Sequence, residues 1–210
     1  ASGTNSLVRR EVRSAVIPAT PVVYAHDPDG NLLSDGLWTN QWSGENRLVS
    51  MQNVSSVPDA KKRKLDFKYD YMGRRTQKTV SAWNTASNDW EVSSVHTYVW
   101  QGWNILGETV ATPTGTLTNW YVWASDLSGT LQGAGGVGGL VMVSLAGTNA
   151  FTIFDGNGNV LGLASADNGG VVAEYDYGPF GEPLKASGVL AKANAFRWST
   201  KPVDDETGVV

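Results

Sequence analysis

A short motif recurs along this chain, and it limits the possible folds more than any other sequence feature. Two large residues, mostly aromatic, are followed by Asp or a substitute, and a turn residue stands three positions after the Asp. A single hairpin cannot bury its apolar face, so recurring units are expected to stack on one another. The repeat aromatic and Asp positions are Tyr24, Asp27, Trp42, Tyr69, Asp70, Tyr98, Trp100, Tyr121, Trp123, Phe154, Asp155, Tyr175 and Tyr177.

The turn position is Gly or Asn in all but one of the copies. These two residues tolerate the positive φ that tight hairpin turns require. The preceding Asp can accept a backbone N–H two residues further on, which stabilises the turn. Alternating extended runs follow, so each unit predicts a strand, a tight turn and a second strand. The predicted turn residues are Gly30, Asn46, Gly73, Asn104, Gly158 and Gly181.

The composition agrees with many short strands and tight connections. The chain has nine Trp, seven Tyr, five Phe and 24 Gly, whereas charged residues make up only 17%. Aromatic residues favour strands, and Gly favours turns. The helical pattern at 188–196 is short and predicts a loop with one helical turn. We therefore predict an all-β fold, in which antiparallel hairpins form a curved sheet, a partial barrel or a spiral shell.

The quoted motifs resemble those of the YD-repeat, or Rhs, family. The similarity runs from Tyr24 to the end and is clearest at 65–75, 155–160 and 174–183, while 196–208 is similar to the Rhs-associated core motif. The resemblance divides the chain into 1–23, a linker or a strand of a preceding repeat, 24–186, the hairpin repeats, and 187–210, the start of a truncated core motif.

That resemblance implies a structural role. In the family, repeats form a hollow β-shell that encloses a C-terminal effector domain, in bacterial proteins that are secreted or displayed on the cell surface. This chain is expected to be a shell fragment that encloses or displays an attached domain. No position matches the aspartate of the family's self-cleavage motif, so we predict no catalytic residue and no enzyme activity.

Charge and composition argue against several other classes of protein. The net charge is −4, so no overall basic field attracts nucleic acid. Cysteine is absent, which removes thiolate metal sites. No apolar run reaches the length of about 18 residues that a membrane-spanning helix needs. We predict no nucleic-acid partner, no membrane span, no cofactor and no metal.

Two motifs imitate ligand sites. Residues 133–138 satisfy the G-x-G-x-x-G pattern, but the β-branched run 140–147 predicts a strand where a dinucleotide site needs a helix. Residues 155–159 resemble half of a calcium loop, yet Val160 and Ala166 stand where Gly and a bidentate Glu are required. Both motifs are predicted to be turns or bulges of the sheet.

Three polar groups have a structural and a functional interpretation. His26 and His96 could serve a Ser–His–Asp arrangement or a metal, but no nucleophile-elbow motif supports catalysis. The basic run 61–64 is predicted to be a solvated loop, because the whole chain is acidic. The acidic cluster 204–206 is likewise predicted to be a solvated turn.

The tryptophans also leave two interpretations open. Cross-strand aromatic pairs stabilise any such sheet, which favours a structural role. Exposed indoles could instead hold sugar rings, which makes a carbohydrate- or cell-surface-binding adhesion module the alternative function. The candidate ligand-binding residues are Trp100, Trp103, Trp120 and Trp123. Unpaired sheet edges also predict self-association.

Overall fold

The computed structural model describes residues 21–207. The strands in this part of the chain form one continuous antiparallel sheet. Its fourteen strands lie in sequence order, each paired with the next, and the curved sheet is not closed. Two short 3₁₀ turns, Asp59–Lys61 and Trp198–Thr200, are the helical elements of this part of the chain. The all-β prediction is confirmed. Residues 1–20, most of the predicted N-terminal linker or strand, lie outside the described residues.

The strands vary from two to thirteen residues, and the longest lie in the middle of the sheet. They are β1 Ala25–His26, β2 Leu32–Ser34, β3 Trp38–Trp42, β4 Leu48–Asn53, β5 Arg63–Tyr69, β6 Arg75–Asn84, β7 Asp89–Gln101, β8 Asn104–Thr112, β9 Gly115–Trp123, β10 Leu140–Leu145, β11 Thr148–Phe154, β12 Val160–Ser165, β13 Val171–Tyr177 and β14 Pro183–Ser187.

The turns of the repeat share one geometry. In the β5–β6 hairpin, the Asp70 N–H donates to the Arg74 carbonyl at 3.0 Å, and the Gly73 N–H donates to the Asp70 carbonyl at 3.0 Å. The Asp70 carboxylate accepts the N–H groups of Met72 and Arg74 at 2.9 and 3.0 Å. Asp27 and Asp155 make the same bonds in their own turns. Each turn therefore combines a four-residue reversal with a bulge at a left-handed residue.

Five of the predicted turn residues lie in the left-handed region. Their φ angles run from 57° to 86°, and they are Gly30, Asn46, Gly73, Gly158 and Gly181. The last turn lacks the Asp, because Gly178 stands in its place. The Glu182 carboxylate occupies the space that a Gly178 side chain would need, and it accepts the Phe180 N–H at 3.0 Å.

The predicted turn residue Asn104 needs correction. Asn104 is the buried first residue of β8 and pairs with Gln101, so the hairpin loop is only Gly102 and Trp103. Gly102, with a φ of 56°, is the left-handed residue of this turn. A two-residue loop reverses the chain sooner than the repeat spacing predicts, and glycine already supplies the required φ.

A turn that the repeat pattern missed follows β9. Asp126 donates its N–H to the Thr130 carbonyl at 2.7 Å, and Gly129, with a φ of 77°, donates to the Asp126 carbonyl at 2.9 Å. This is the same turn as in the clear copies, but its Asp stands three residues after Trp123 instead of directly after the second aromatic. The signal was Asp126 followed three positions later by Gly129.

In five of the repeats, the second aromatic is joined to the repeat before it. Side-chain N–H or O–H groups donate at 2.7–2.9 Å to backbone carbonyls near the start of an earlier strand. The pairs are Trp42 with Leu32, Tyr69 with Leu48, Trp100 with Arg75, Trp123 with Ile105, and Tyr177 with Val160. We call these bonds the aromatic latches. They explain why the repeat favours Trp and Tyr over Phe at this position.

One face of the sheet is buried, and we call it the inner face. Alternate residues such as Leu65, Val143 and Leu163 are fully buried there. A large core spans β8–β13, and a smaller one spans β4–β6. Residues 188–207 cross the inner face and contribute Leu190 and Phe196 to the large core. The predicted helical turn lies in this segment, which forms turns without an α-helix.

The basic run 61–64 is only partly the loop that the sequence predicts. Lys61 belongs to a 3₁₀ turn, while Arg63 and Lys64 begin β5. Lys62 pairs with Asp59 at 2.6 Å, and Lys64 pairs with Asp66 at 3.3 Å. The strand starts early because the Leu65 side chain, two residues into β5, is completely buried.

We predict that Gly73→Ala lowers the free energy of unfolding by about 1–2 kcal/mol, because an L-residue resists the left-handed φ of 82°. The added Cβ meets nothing closer than the Arg47 guanidinium at 3.4 Å, so the loss comes from the backbone. Urea unfolding measures the change. Gly44→Ala is the control, because Gly44 has no left-handed φ and open space around its Cβ position. Equal losses in both variants would contradict this account.

Candidate functional site

The inner face carries a cleft of about 620 Å³ between the central strands and the returning C-terminal segment. Strands β5–β9 form one wall, and residues 192–206 form the other. Because successive residues of a strand point to opposite faces, alternate residues in the second half of β7 face the cleft. His96, Tyr98 and Trp100 lie on that row. The cleft is therefore lined by charged and aromatic side chains together.

Two acidic residues of the returning segment are clasped by two basic residues of β6. Lys78 Nζ lies 2.9 Å from Asp204 Oδ1 and 3.0 Å from Glu206 Oε2, and Arg75 lies 2.6 Å from Asp204 Oδ2. We call this group the acidic clasp. The prediction of a solvated turn at 204–206 is wrong for these two carboxylates, because the buried cations of the inner face require counter-charges. Asp205, with a side chain 56% exposed, is the solvated member.

The clasp changes the acidity of its members. Burial alone would raise the pKa of Asp204, but Arg75 and Lys78 outweigh it and hold the pKa below the ordinary value. Burial alone would lower the pKa of Lys78, but Asp204 and Glu206 raise it. Both groups are therefore charged in the folded protein at neutral pH. The Asp204 contribution to stability is present above its unfolded pKa and is lost as the pH falls through the folded pKa.

A hydrogen-bonded row of polar groups lies beside the clasp. His96 Nδ1 is 2.8 Å from Glu108 Oε1, and His96 Nε2 is 3.0 Å from Ser94 Oγ. Glu108 also accepts the Asn119 side-chain N–H at 3.2 Å and the Tyr121 hydroxyl at 3.3 Å. The two histidines do not share a site, since His26 is exposed on the edge strand β1, six strands away from β7.

Three of the four candidate ligand-binding tryptophans converge. Trp100, Trp103 and Trp123 line a second pocket of about 350 Å³, which also touches Asn104 and Lys201. Trp120 does not belong to it, because its neighbour Tyr121 is buried on the inner face while Trp120 is 54% exposed on the other face. Strand alternation separates the two positions.

The turn that closes the second pocket is strained. Ser199 and Thr200 have φ angles of 50° and 52°, a region that non-glycine residues seldom adopt. The Thr200 hydroxyl donates to the Gly158 carbonyl at 2.7 Å and accepts the Gly138 N–H at 2.8 Å. These bonds hold the returning segment on two glycine turns of the sheet.

The two ligand-like motifs have structural partners. Residues 133–138 lie in the long connection before β10, and the Asp126 carboxylate accepts the Ala134 and Gly136 N–H groups at 2.7 and 3.0 Å. Burial would raise the pKa of Asp126, but hydrogen bonds from Ser128, Gly136 and Ala134 lower it to about 2. The strand β10 follows this loop, so the glycine-rich motif does not lead into the helix N-terminus that a dinucleotide phosphate needs. Asp155 is occupied by its own turn.

Within residues 21–207, no group of three or more His, Cys, Asp or Glu side chains is placed to hold a metal ion. The same residues include no helix long and apolar enough to cross a membrane.

No protein-family model matches the sequence. Curated relatives do match. The chain is 28% identical over 189 residues to the tRNA3(Ser)-specific nuclease WapA of Bacillus spizizenii, and 27% identical over 189 residues to the tRNA nuclease WapA of Bacillus subtilis strain 168. Each alignment covers 88% of this chain and 7% of the relative. The chain therefore spans a small fraction of the length of these proteins.

Solved structures share the fold. The crystal structure of TcdB2-TccC3-Cdc42 superposes with a TM-score of 0.63 at 17% identity, covering 87% of this chain and 8% of that chain. The Photorhabdus luminescens Tc holotoxin pore superposes with a TM-score of 0.62 at 16% identity, covering 86% of this chain and 8% of that chain. The described sheet thus resembles a segment of much larger toxin proteins.

We predict that Asp204→Asn lowers the free energy of unfolding by about 3 kcal/mol. The substitution removes the ion-pair partner of Arg75 and leaves Lys78 with only one partner, Glu206. Urea unfolding followed by tryptophan fluorescence measures the change. The matched control, Glu45→Gln, breaks a pair with Arg47 in which the Glu45 side chain is 71% exposed, and it should cost about 1 kcal/mol or less. Adding Lys78→Met to Asp204→Asn should cost less than the two separate losses combined. Strict additivity would contradict the clasp.

Proposed function

We propose that this chain is a wall segment of a larger bacterial toxin-type protein, where it encloses or displays an attached effector domain. The wall acts by steric exclusion and requires no chemical step of its own. An open, curved sheet whose edge strands β1 and β14 each pair with only one other strand within residues 21–207 supports this role, because such a sheet can be continued by further repeats on either side. The similarity to segments of WapA and TcdB2-TccC3 proteins supports it as well.

The single observation that carries the proposal is the returning segment on the inner face. Residues 188–207 are held there by the acidic clasp, by the Tyr175 hydroxyl on the Ala191 carbonyl at 2.9 Å, and by the core contact of Phe196. The inner face therefore holds a segment of its own chain through charge and apolar contact together. A wall that encloses another domain needs such an inner surface.

We propose that the effector lies elsewhere in the whole protein, and the relatives named as tRNA nucleases support this. The matched part is 7% of their length, and this chain has a net charge of −4 without an overall basic field for RNA. We propose that any nuclease-type activity resides in the attached domain, that the whole protein is secreted or displayed on the bacterial surface, and that isolated copies of this chain associate through the edges β1 and β14.

Limited proteolysis of the full-length protein that contains this chain tests enclosure. The attached domain should be cleaved far more slowly within the whole protein than as a free domain. Asp204→Asn should speed its cleavage, whereas the exposed control Glu45→Gln should not. The isolated chain should show a mass above the monomer that rises with concentration in light scattering. Equal cleavage of the enclosed and free domains would end the proposal, and a constant monomer mass would remove self-association.

The tryptophan pocket supports a second candidate function, glycan binding. Indole faces stack on sugar rings, and the ammonium of Lys201 can bond sugar hydroxyls. Trp103 is 55% exposed at the pocket, so its removal should not disturb the core.

A glycan array followed by calorimetry tests this candidate. Trp103→Ala should weaken binding of any glycan hit by roughly two- to tenfold, the effect of losing one aromatic contact. The matched control is Trp120→Ala, which removes an equally exposed indole from the opposite face and should leave affinity unchanged. An array without hits, or equal losses in both variants, would exclude the pocket.

A further inference from the structure

Ser94, His96 and Glu108 form a linear hydrogen-bonded row on the inner face. The Ser94 Oγ to His96 Nε2 distance is 3.0 Å, and the His96 Nδ1 to Glu108 Oε1 distance is 2.8 Å. Both distances lie in the range of a nucleophile bound to its base and a base bound to its orienting acid. The row arises because residues two apart on β7 share a face, while Glu108 reaches across from β8, where it pairs with Tyr98.

The carboxylate end of the row is held firmly. Glu108 is 8% exposed, and its second oxygen accepts bonds from Asn119 and Tyr121. Burial would raise the pKa of Glu108, but His96, Asn119 and Lys78 outweigh burial and lower it, so the carboxylate is ionised. An ionised carboxylate only accepts hydrogen bonds. In the neutral imidazole, His96 Nδ1 therefore carries the proton and Nε2 accepts the Ser94 hydroxyl proton.

The structure therefore assigns a reactive serine: we propose that Ser94 is a nucleophile for small carboxylic esters, with His96 as general base and Glu108 as the group that orients it. The Ser94 Oγ atom would bond to the ester carbonyl carbon as its proton moves to His96 Nε2. The bond from that carbon to the alcohol oxygen would break, and the alcohol would leave with the proton. Water would then release the acid and restore the serine.

A positive charge lies beside this row. The Cα of Lys78 pairs with that of His96 across β6 and β7, and two of the three donors of its ammonium are used by Asp204 and Glu206. A fixed positive charge near the reacting carbonyl would stabilise the developing oxyanion. His96 and Glu108 line the 620 Å³ cleft, and Ser94, two residues from His96 on the same face, is half-buried.

This reactivity goes beyond the proposed wall and does not depend on it. The wall requires only the fold and the returning segment, whereas the ester chemistry requires three side chains in register. A protein without ester reactivity could still enclose a domain, and a reactive protein could lack any enclosed domain. The proteolysis test of the wall can therefore fail while the labelling test of the serine succeeds, and the reverse.

A fluorophosphonate probe with mass spectrometry tests the proposal on the intact chain. The label is expected on Ser94, and Ser94→Ala should abolish both labelling and hydrolysis of p-nitrophenyl acetate. Ser93→Ala is the matched control, because the Ser93 hydroxyl donates to the Val80 carbonyl at 3.0 Å and is not part of the row. It should keep full labelling. Circular dichroism and the melting temperature confirm that each variant is folded.

Two further variants separate a reactive row from a structural one. Glu108→Gln should slow labelling roughly 10²–10⁴-fold, because the amide no longer holds the reactive tautomer of His96. His96→Ala should lose labelling and regain part of it when free imidazole is added. A merely structural row would show neither effect. Folded wild-type chain that takes no label on Ser94, or labelling that survives in His96→Ala without imidazole, would overturn the proposal.

Discussion

The aromatic latch is the interaction on which the remaining architecture depends. The repeat hairpins shift their register at the second aromatic, as between Lys68 and Tyr69, and in five of them the side chain reaches a carbonyl of the preceding repeat. The buried tip of Trp or Tyr requires a hydrogen-bond partner, and the neighbouring strand offers one at a fixed distance. The latch therefore sets the spacing between hairpins, and with it the curvature that gives the sheet a protected inner face.

The inner face combines two kinds of attraction. Apolar residues of β8–β13 form the core with Phe196, which lies edge-on to Tyr121 and Trp123 at 4.8 and 5.3 Å. Charged residues of β6 meet the acidic clasp, where buried cations would be costly without counter-charges. Apolar contact alone would let the returning segment slide along the sheet. The ion pairs and the Thr200 bonds define a single position for it, at the cost of left-handed backbone at two non-glycine residues.

The same alternation that buries the core also separates the functions proposed for this surface. Trp103 belongs to the inner pocket, and Trp120 lies on the outside of the sheet, although both stand close to hairpin ends in the sequence. Ser94 and His96 share a face because they are two residues apart, and the adjacent Ser93 bonds to backbone instead. A repeat sheet can thus carry a structural wall, an aromatic pocket and a reactive row without changing its fold, since side chains on a strand contribute independently.

The sequence by itself determined the class of fold and the turns, because left-handed glycine and Asp-capped reversals depend on residues that lie within five positions of one another. It missed Asp126 and misplaced the turn at Asn104, where the spacing of a repeat changes by a few residues. It could not place Asp204 and Glu206 against Lys78, or bring Glu108 to His96, because those contacts join residues that are 126, 128 and 12 positions apart. Only strand register and the return of the C-terminal segment decide which charges meet. The attraction between two charges depends on their distance in space and on their exposure to water, and both are set by the path of the backbone.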